Sequence, residues 1–242
     1  MKLHHKIAKV LGYDLVRRKT SHLNFEDHLF QVFQKYKIDV VIDVGANIGQ
    51  FAEKIRDKGY RGYILSFEPA VEAYLTLKEK AGNDPRWKIF NFALGEEEGK
   101  LKINITKSTD FSSFYTPNNF CKEIFPEASE IINTYEVDVK RLDQVMTDIV
   151  KDIPGKSFFL KTDTQGFDIN VFKGAKNFIK SVKGLTSEVS MKSIYDHAPH
   201  FIESLELYQK EGFLLTGLFP VFRDKNTFIV FEFDAVMVRL SN

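Results

Sequence analysis

The stretch Ile38–Ile55, IDVVIDVGANIGQFAEKI, decides how the chain is read. Val40, Val41, Ile42 and Val44 make a nearly continuous β-branched run, the composition of a parallel strand covered on both faces. Gly45 and Gly49 then bracket Ala46, Asn47 and Ile48. The first glycine allows a tight turn, and the second lets backbone come close to a ligand. Phe51, Ala52 and Ile55 follow at helical spacing, with Glu53, Lys54, Arg56 and Asp57 mostly toward solvent. A buried strand, a glycine turn and a helix form the first unit of a nucleotide-type α/β sheet.

The turn lacks the third glycine of the dinucleotide fingerprint: Gln50 and Phe51 stand there instead, and Asp43 comes just before the turn. A carboxylate at that place suits a cationic ligand group. Glu68, in the run YILSFEP, closes a second predicted strand, where an acidic residue in such folds accepts both ribose hydroxyls. Pro69 stops the strand there. These features favour S-adenosylmethionine (SAM), whose amino group and sulfonium are positive, over NAD, whose linker is negative. The cofactor positions expected on this stretch are Asp43, Gly45, Asn47, Gly49, Glu68 and Pro69. Taken alone, the two glycines also fit an ordinary strand-to-helix turn.

At 242 residues the chain suits one α/β domain over residues 38–242 with an N-terminal extension over residues 1–37. A hydrophobic share of 43% is enough for a sizeable core. The formal net charge of +1 gives no whole-molecule field for nucleic acid, so no nucleic-acid partner is expected. One cysteine, Cys121, excludes an internal disulfide and a multi-cysteine zinc site. No apolar run is long enough to span a bilayer, and the N-terminus lacks a signal-peptide core, so a cytoplasmic location is expected. The extension looks helical, with Ile7, Val10, Leu11 and Leu15, then Leu29, Phe30, Val32 and Phe33, as apolar stripes. Lys2, Lys6, Lys9, Arg17, Arg18 and Lys19 oppose only Asp14 there, which fits either a solvated face or contact with an anionic membrane or lipid-linked substrate.

Downstream, residues 70–81 read as a helix between Pro69 and Gly82. WKIFNFALG reads as a third strand leaving through Ala93, Leu94 and Gly95, and the backbone at Ala93 is assigned to the adenine pocket. LKINIT alternates as a further strand. Residues 107–136, rich in Ser, Thr, Asn and aromatics, read as a lid or binding loop. Within it Ser112 and Ser113 are either hydroxyl donors to the cofactor or ordinary loop polarity. KSFFLKTD is the fourth core strand, followed by a helix from Asp168, a strand over 185–189, a helix over 201–212, and an antiparallel pair at the sheet edge.

With VIDVGANIGQF, FEP, ALG, KTDTQGFDINVFKGA, SEVS and DAVMVRL in this order, the chain resembles the FkbM-type SAM-dependent methyltransferases from about Val40 to Leu240. It departs from the usual pattern at Asp168, where that family more often carries Glu. The resemblance implies a Rossmann-like class I methyltransferase sandwich: an α/β fold with a seven-stranded, mostly parallel sheet, an antiparallel edge strand and, here, N-terminal helices. It also implies SAM as cofactor and methyl transfer to a hydroxyl of a sugar, glycan or related natural-product acceptor. An alcohol needs a general base. Asp163, at the end of the fourth strand, is the first candidate and His197 the second. Asp163 also reads as a cap for Gly166 and the next helix, and His197 and His200 as parts of a loop at a helix start. A divalent metal on Asp163, Glu188 and His197 stays open, and no metal site is assigned. Phe111, Phe114, Tyr115, Phe120 and Tyr195 are candidates for stacking on the acceptor or for core packing. Two other functions remain: a non-catalytic SAM-binding module, and an N-methyltransferase on another small molecule, although TDTQG replaces the Asn/Asp-Pro-Pro-aromatic run expected of nucleic-acid or protein N-methyltransferases.

Overall fold

The structure is a computed structural model that describes residues 24–240 together with Val10. In chain order its first half comprises α1 (Phe25–Lys35), β1 (Val40–Val44), α2 (Gln50–Asp57), β2 (Tyr63–Phe67), α3 (Val71–Ala81), β3 (Trp87–Phe90), β4 (Ala93–Leu94), β5 (Gly99–Thr106) and α4 (Asn119–Ile124). The second half comprises β6 (Ile131–Lys140), α5 (Leu142–Ile149), β7 (Phe158–Thr162), α6 (Asp168–Gly174), β8 (Val182–Ser190), α7 (Phe201–Lys210), β9 (Phe213–Arg223) and β10 (Val230–Arg239).

Seven strands form the main sheet in the order β3-β2-β1-β7-β8-β10-β9. The pairs from β3 through β8 are parallel, and β10 runs against both β8 and β9. The antiparallel pair therefore closes the sheet, with β9 at the rim and the reversed strand one place in. The near-continuous apolar runs follow from burial on both faces. Val40, Ile42 and Val44 pack toward Leu142 and Met146 of α5 and Val171 and Phe172 of α6. Val41, Ile64 and Phe159 pack toward Leu29 and Phe33 of α1, Ile55 of α2 and Leu77 of α3. Each such side chain stabilises the fold by about 1.5–3 kcal/mol on burial.

Of the extension expected over residues 1–37, the part described, α1, belongs to this core. Asn24 caps it by accepting from Asp27 N–H at 2.8 Å, and Phe25 meets Phe219 of β9 edge-on at 5.6 Å. The basic positions Lys2 to Lys19 lie outside the described residues. Among the described residues no helix is long and apolar enough to cross a membrane.

Two expectations change. The third strand splits: β3 stays in the main sheet, while β4 joins a second sheet of order β4-β6-β5. Asn91 sits at the break and donates to the Glu68 carbonyl at 2.9 Å. Residues 107–136 are also more regular than their composition suggests. Thr109–Phe111 forms a 3₁₀ turn, Asn118 caps α4 by accepting from Cys121 N–H at 2.9 Å, and β6 begins at Ile131. The polar run Asn133, Thr134 and Glu136 becomes strand because it pairs with Ile105, Asn104 and Lys102 of β5, a partnership that local periodicity does not report.

Candidate active site

The C-terminal ends of β1, β2 and β7, the side where open α/β sheets bind ligands, face a cleft of about 370 Å³. Ile103 and Ile105 of the small sheet and the 109–114 segment complete its wall.

The glycine turn is built by packing. Gly45 has φ +70°, and a Cβ there would stand 1.9 Å from the Asp163 carbonyl oxygen, so the glycine lets β1 and β7 end side by side. Gly49, with φ +87°, caps α2; its Cβ would meet Leu77 at 2.9 Å and Trp87 at 3.1 Å. Gly49 does not line the cleft, so its requirement is close packing with α3 and β3 rather than approach to a ligand. Asn47, with φ +47°, does line it and turns its backbone N–H to Glu68 Oε2 at 2.7 Å.

Asp43 is placed differently from the expectation. It is 0% exposed, off the cleft wall, and its two oxygens are taken by Lys161 Nζ at 2.9 Å and Ser66 Oγ at 3.0 Å. Trp87 Nε1 donates in turn to Ser66 Oγ at 3.0 Å. Lys161 also donates to the Gly45 carbonyl at 2.8 Å and stands 3.7 Å from Asp163 Oδ2. Burial alone would lower the lysine pKa, but Asp43 and then Asp163 outweigh it, and the net shift is upward. Asp43 therefore acts on the site through Lys161, which fixes the glycine turn. Sequence reading passed over Lys161. The signal available was a lysine inside the apolar run FFLKT, level with Asp43 and Ser66 across the sheet.

Glu68 closes β2 as a buried carboxylate held by two backbone N–H groups, those of Asn47 and of Ala70 at 2.8 Å. Burial lifts its pKa to about 7 against the pull of those bonds. Pro69 and Ala93 line the cleft beside it.

Across the cleft Asp163 follows β7, its side chain 43% exposed. Gln165 Nε2 bridges Asp163 Oδ1 at 3.0 Å and Glu188 Oε2 at 3.1 Å, and Tyr195 O–H donates to Gln165 Oε1 at 2.8 Å. Asp163 thus orients an amide bridge instead of capping the next helix. Ser113 lines the cleft, but its O–H donates to the Gln165 carbonyl at 2.7 Å, so that proton ties the 109–114 segment to the β7–α6 loop. Asp168 opens α6 buried beneath the site, raised to about 6 by burial and by Asp163. His197 is exposed, has φ +66°, and is not on the wall. Among the described residues no three His, Cys, Asp or Glu side chains are arranged to hold a metal. The cleft brings together Gly45, Asn47, Glu68, Pro69, Ala93, Ser113 and Asp163, and leaves Asp43, Gly49 and His197 off its wall.

Asn47 Oδ1, Gln50 Oε1 and Thr164 Oγ1 are buried at this wall with no hydrogen-bond partner among the described residues. Such groups cost about 1–3 kcal/mol each unless a ligand or water satisfies them. Acceptors of this kind, with Glu68, fit the hydroxyls and ammonium of a nucleoside-linked amino acid.

A parallel sheet with one reversed strand, a glycine turn after β1, a carboxylate after β2 and a cleft over both is the fold of the SAM-dependent methyltransferases. The family described as "Methyltransferase FkbM domain" matches residues 43–215, and the chain belongs to it. The chain is 22% identical over 189 residues to 2-O-methyltransferase NoeI of Sinorhizobium fredii (strain NBRC 101917 / NGR234), with 75% of each protein covered. It is 28% identical over 146 residues to Methyltransferase 1 of Beauveria bassiana (strain ARSEF 2860), covering 55% of this chain and 57% of that protein. Among solved structures, Aeropyrum pernix fibrillarin in complex with S-adenosyl-L-methionine aligns at a TM-score of 0.47 and 10% identity, over 83% of this chain and 66% of that one. A SAM-dependent methyltransferase from Aquifex aeolicus aligns at 0.42 and 12% identity, over 99% and 100%.

Proposed function

We propose that the protein transfers a methyl group from SAM to a hydroxyl oxygen of a sugar, glycan or related natural-product acceptor. The observation that carries this reading is that two of the carboxylates lining one cleft stand in different settings: Glu68, buried and held by backbone N–H groups, and Asp163, partly exposed and held by Gln165. Bound SAM supplies a methyl group activated by a positive sulfur. Glu68 would accept the ribose hydroxyls, and Ala93 with Ile103 and Ile105 would enclose the adenine. Asp163 Oδ2, beside the Lys161 ammonium, would take the acceptor's hydroxyl proton as its oxygen attacks. The 109–114 segment, tied down through Ser113, would exclude water and hold the reactants in line. The relative named as a 2-O-methyltransferase supports oxygen as the acceptor atom.

Titration calorimetry with S-adenosylhomocysteine tests the cofactor, and turnover of labelled SAM with glycan acceptors tests the reaction. Asp163→Asn is expected to keep cofactor affinity within a few-fold while lowering turnover on the order of 10²-fold. Undiminished turnover would remove Asp163 as the base.

A second reading, N-methyl transfer to an amine, draws on Glu188 at the cleft, backed by Asp163, Glu232 and Asp234. Mass spectrometry of the product, separating N-methyl from O-methyl, distinguishes the two.

A further inference from the structure

With Asp43 held by Lys161 and Ser66, the positive charge of an amino-acid ligand must be met elsewhere on the cleft wall. We infer that Asp110, together with the side-chain oxygens of Asn47 and Gln50, forms the seat of the α-ammonium group of the S-adenosyl ligand. The inference rests on the cofactor reading above and adds a residue from the 109–114 segment to the site.

The argument begins with two amides. Asn47 Nδ2 and Gln50 Nε2 both donate to Asp110 Oδ1, at 2.8 and 3.2 Å. An ionised carboxylate can only accept, so both amides must present nitrogen to it and oxygen elsewhere. Those two oxygens are the buried, unpartnered Asn47 Oδ1 and Gln50 Oε1, and both residues line the cleft along with Asp110. One wall therefore offers two neutral acceptors and one anion, and among the described residues no donor satisfies the two amide oxygens. A ligand hydroxyl brings one donor, whereas an ammonium brings three and a positive charge. Asp110 has no hydrogen bond among the described residues except these two, and a carboxylate has further lone pairs to offer. The other carboxylates on the wall are already engaged: Glu68 by two backbone N–H groups, Glu72 by the Tyr135 O–H, Asp163 by Lys161 and the Gln165 amide, and Glu188 by that same amide.

The position of Asp110 gives the contact a second consequence. It lies on the Thr109–Phe111 turn, which the Ser113 bond to the Gln165 carbonyl ties to the β7–α6 loop and whose Phe111 carbonyl lies 3.0 Å from the Tyr195 hydroxyl of the β8–α7 loop. Toward β1, Asp110 provides the side-chain hydrogen bonds to the glycine turn. An ammonium seated among the three acceptors draws this segment and the glycine turn together, so the amino-acid end of the ligand holds the cleft closed.

The test compares S-adenosylhomocysteine with 5′-methylthioadenosine, which keeps the nucleoside and thioether but lacks the amino acid, by titration calorimetry on the full chain. Asp110→Asn keeps shape at an exposed position and is expected to weaken S-adenosylhomocysteine binding about tenfold or more, leaving methylthioadenosine within about twofold. Gln50→Leu is expected to shift the same ligand in the same direction. Equal loss for both ligands would make Asp110 a structural latch and overturn the inference, as would no loss for either. Wild-type protein that binds neither ligand would overturn the cofactor reading, and the ammonium seat with it.

Discussion

Two carboxylates two strands apart in the sheet, buried Asp43 on β1 and half-buried Glu188 on β8, are treated in opposite ways. Asp43 has a cation at 2.9 Å and a hydroxyl at 3.0 Å. Glu188 receives the neutral amide of Gln165 at 3.1 Å and otherwise faces like charge. Burial, then Glu232, Asp163, Asp234 and Asp168, hold its pKa well above the usual carboxylate range. Burial raises Glu232 to about 7 against the Ser190 hydrogen bond, and burial with Asp163 raises Asp234 to about 7. The β1–β7 half is thus locked by compensated charge, which suits a fixed glycine turn. The β8–β10 half keeps carboxylates that exchange protons near neutrality, beside the region where the acceptor is proposed to sit.

The largest effect is expected from breaking the compensation. Lys161→Met leaves Asp43 buried and unpaired and should cost about 3–5 kcal/mol in urea unfolding. Adding Asp43→Asn to that variant should restore much of the loss, because an unpaired charge and not the missing pair is the main penalty. A single variant as stable as the wild type would show that the two halves do not differ in the way described.

A smaller effect separates the halves by pH. Glu232 and Asp234 titrate near 7 in the folded protein against 4.5 and 3.8 ordinarily, and Asp168 near 6 against 3.8. Between about pH 4 and 7 the folded chain therefore holds protons that the unfolded chain has lost, and stability falls as pH rises. The contribution of these groups is fully present below their unfolded values and is lost as pH passes their folded ones. The urea midpoint is expected to rise as pH is lowered from 8 to 6, and Asp234→Asn should flatten that slope. An unaltered slope in the variant would place the proton uptake elsewhere.

The same contrast explains what the sequence could disclose. β1, the glycine turn and β2 are adjacent in sequence, and each carries its own signal: a β-branched run, glycines at positive φ, a carboxylate before proline. Glu68 was therefore legible, and so was the sheet that contains it. Asp43 was legible as a carboxylate just before the turn but not in its partner, because Lys161 lies more than a hundred residues away and meets it only through strand register. Gln165, Glu232 and Asp234 were hidden for the same reason, since β10 reaches β8 from the far end of the chain. Asp110 was invisible because nothing local distinguishes a carboxylate on the Thr109–Phe111 turn from any other loop acid. The strand character of residues 131–136 was missed because pairing with β5 overrides their polar composition.

The smallest change is expected at His197, where the acceptor side is tested without disturbing either buried cluster. The side chain is exposed and off the cleft wall, but its neighbour Ala198 packs so close to Gly166 that a Cβ there would meet it at 2.8 Å. The loop is thus seated next to the Asp163 turn while its histidine points to no group of the site. His197→Ala should leave turnover within about twofold, the scale of a surface substitution. A loss comparable to that of Asp163→Asn, with S-adenosylhomocysteine binding unchanged, would mean that this loop moves onto the cleft during turnover. Proton removal would then be divided between a carboxylate fixed on β7 and an imidazole delivered by the β8–α7 loop.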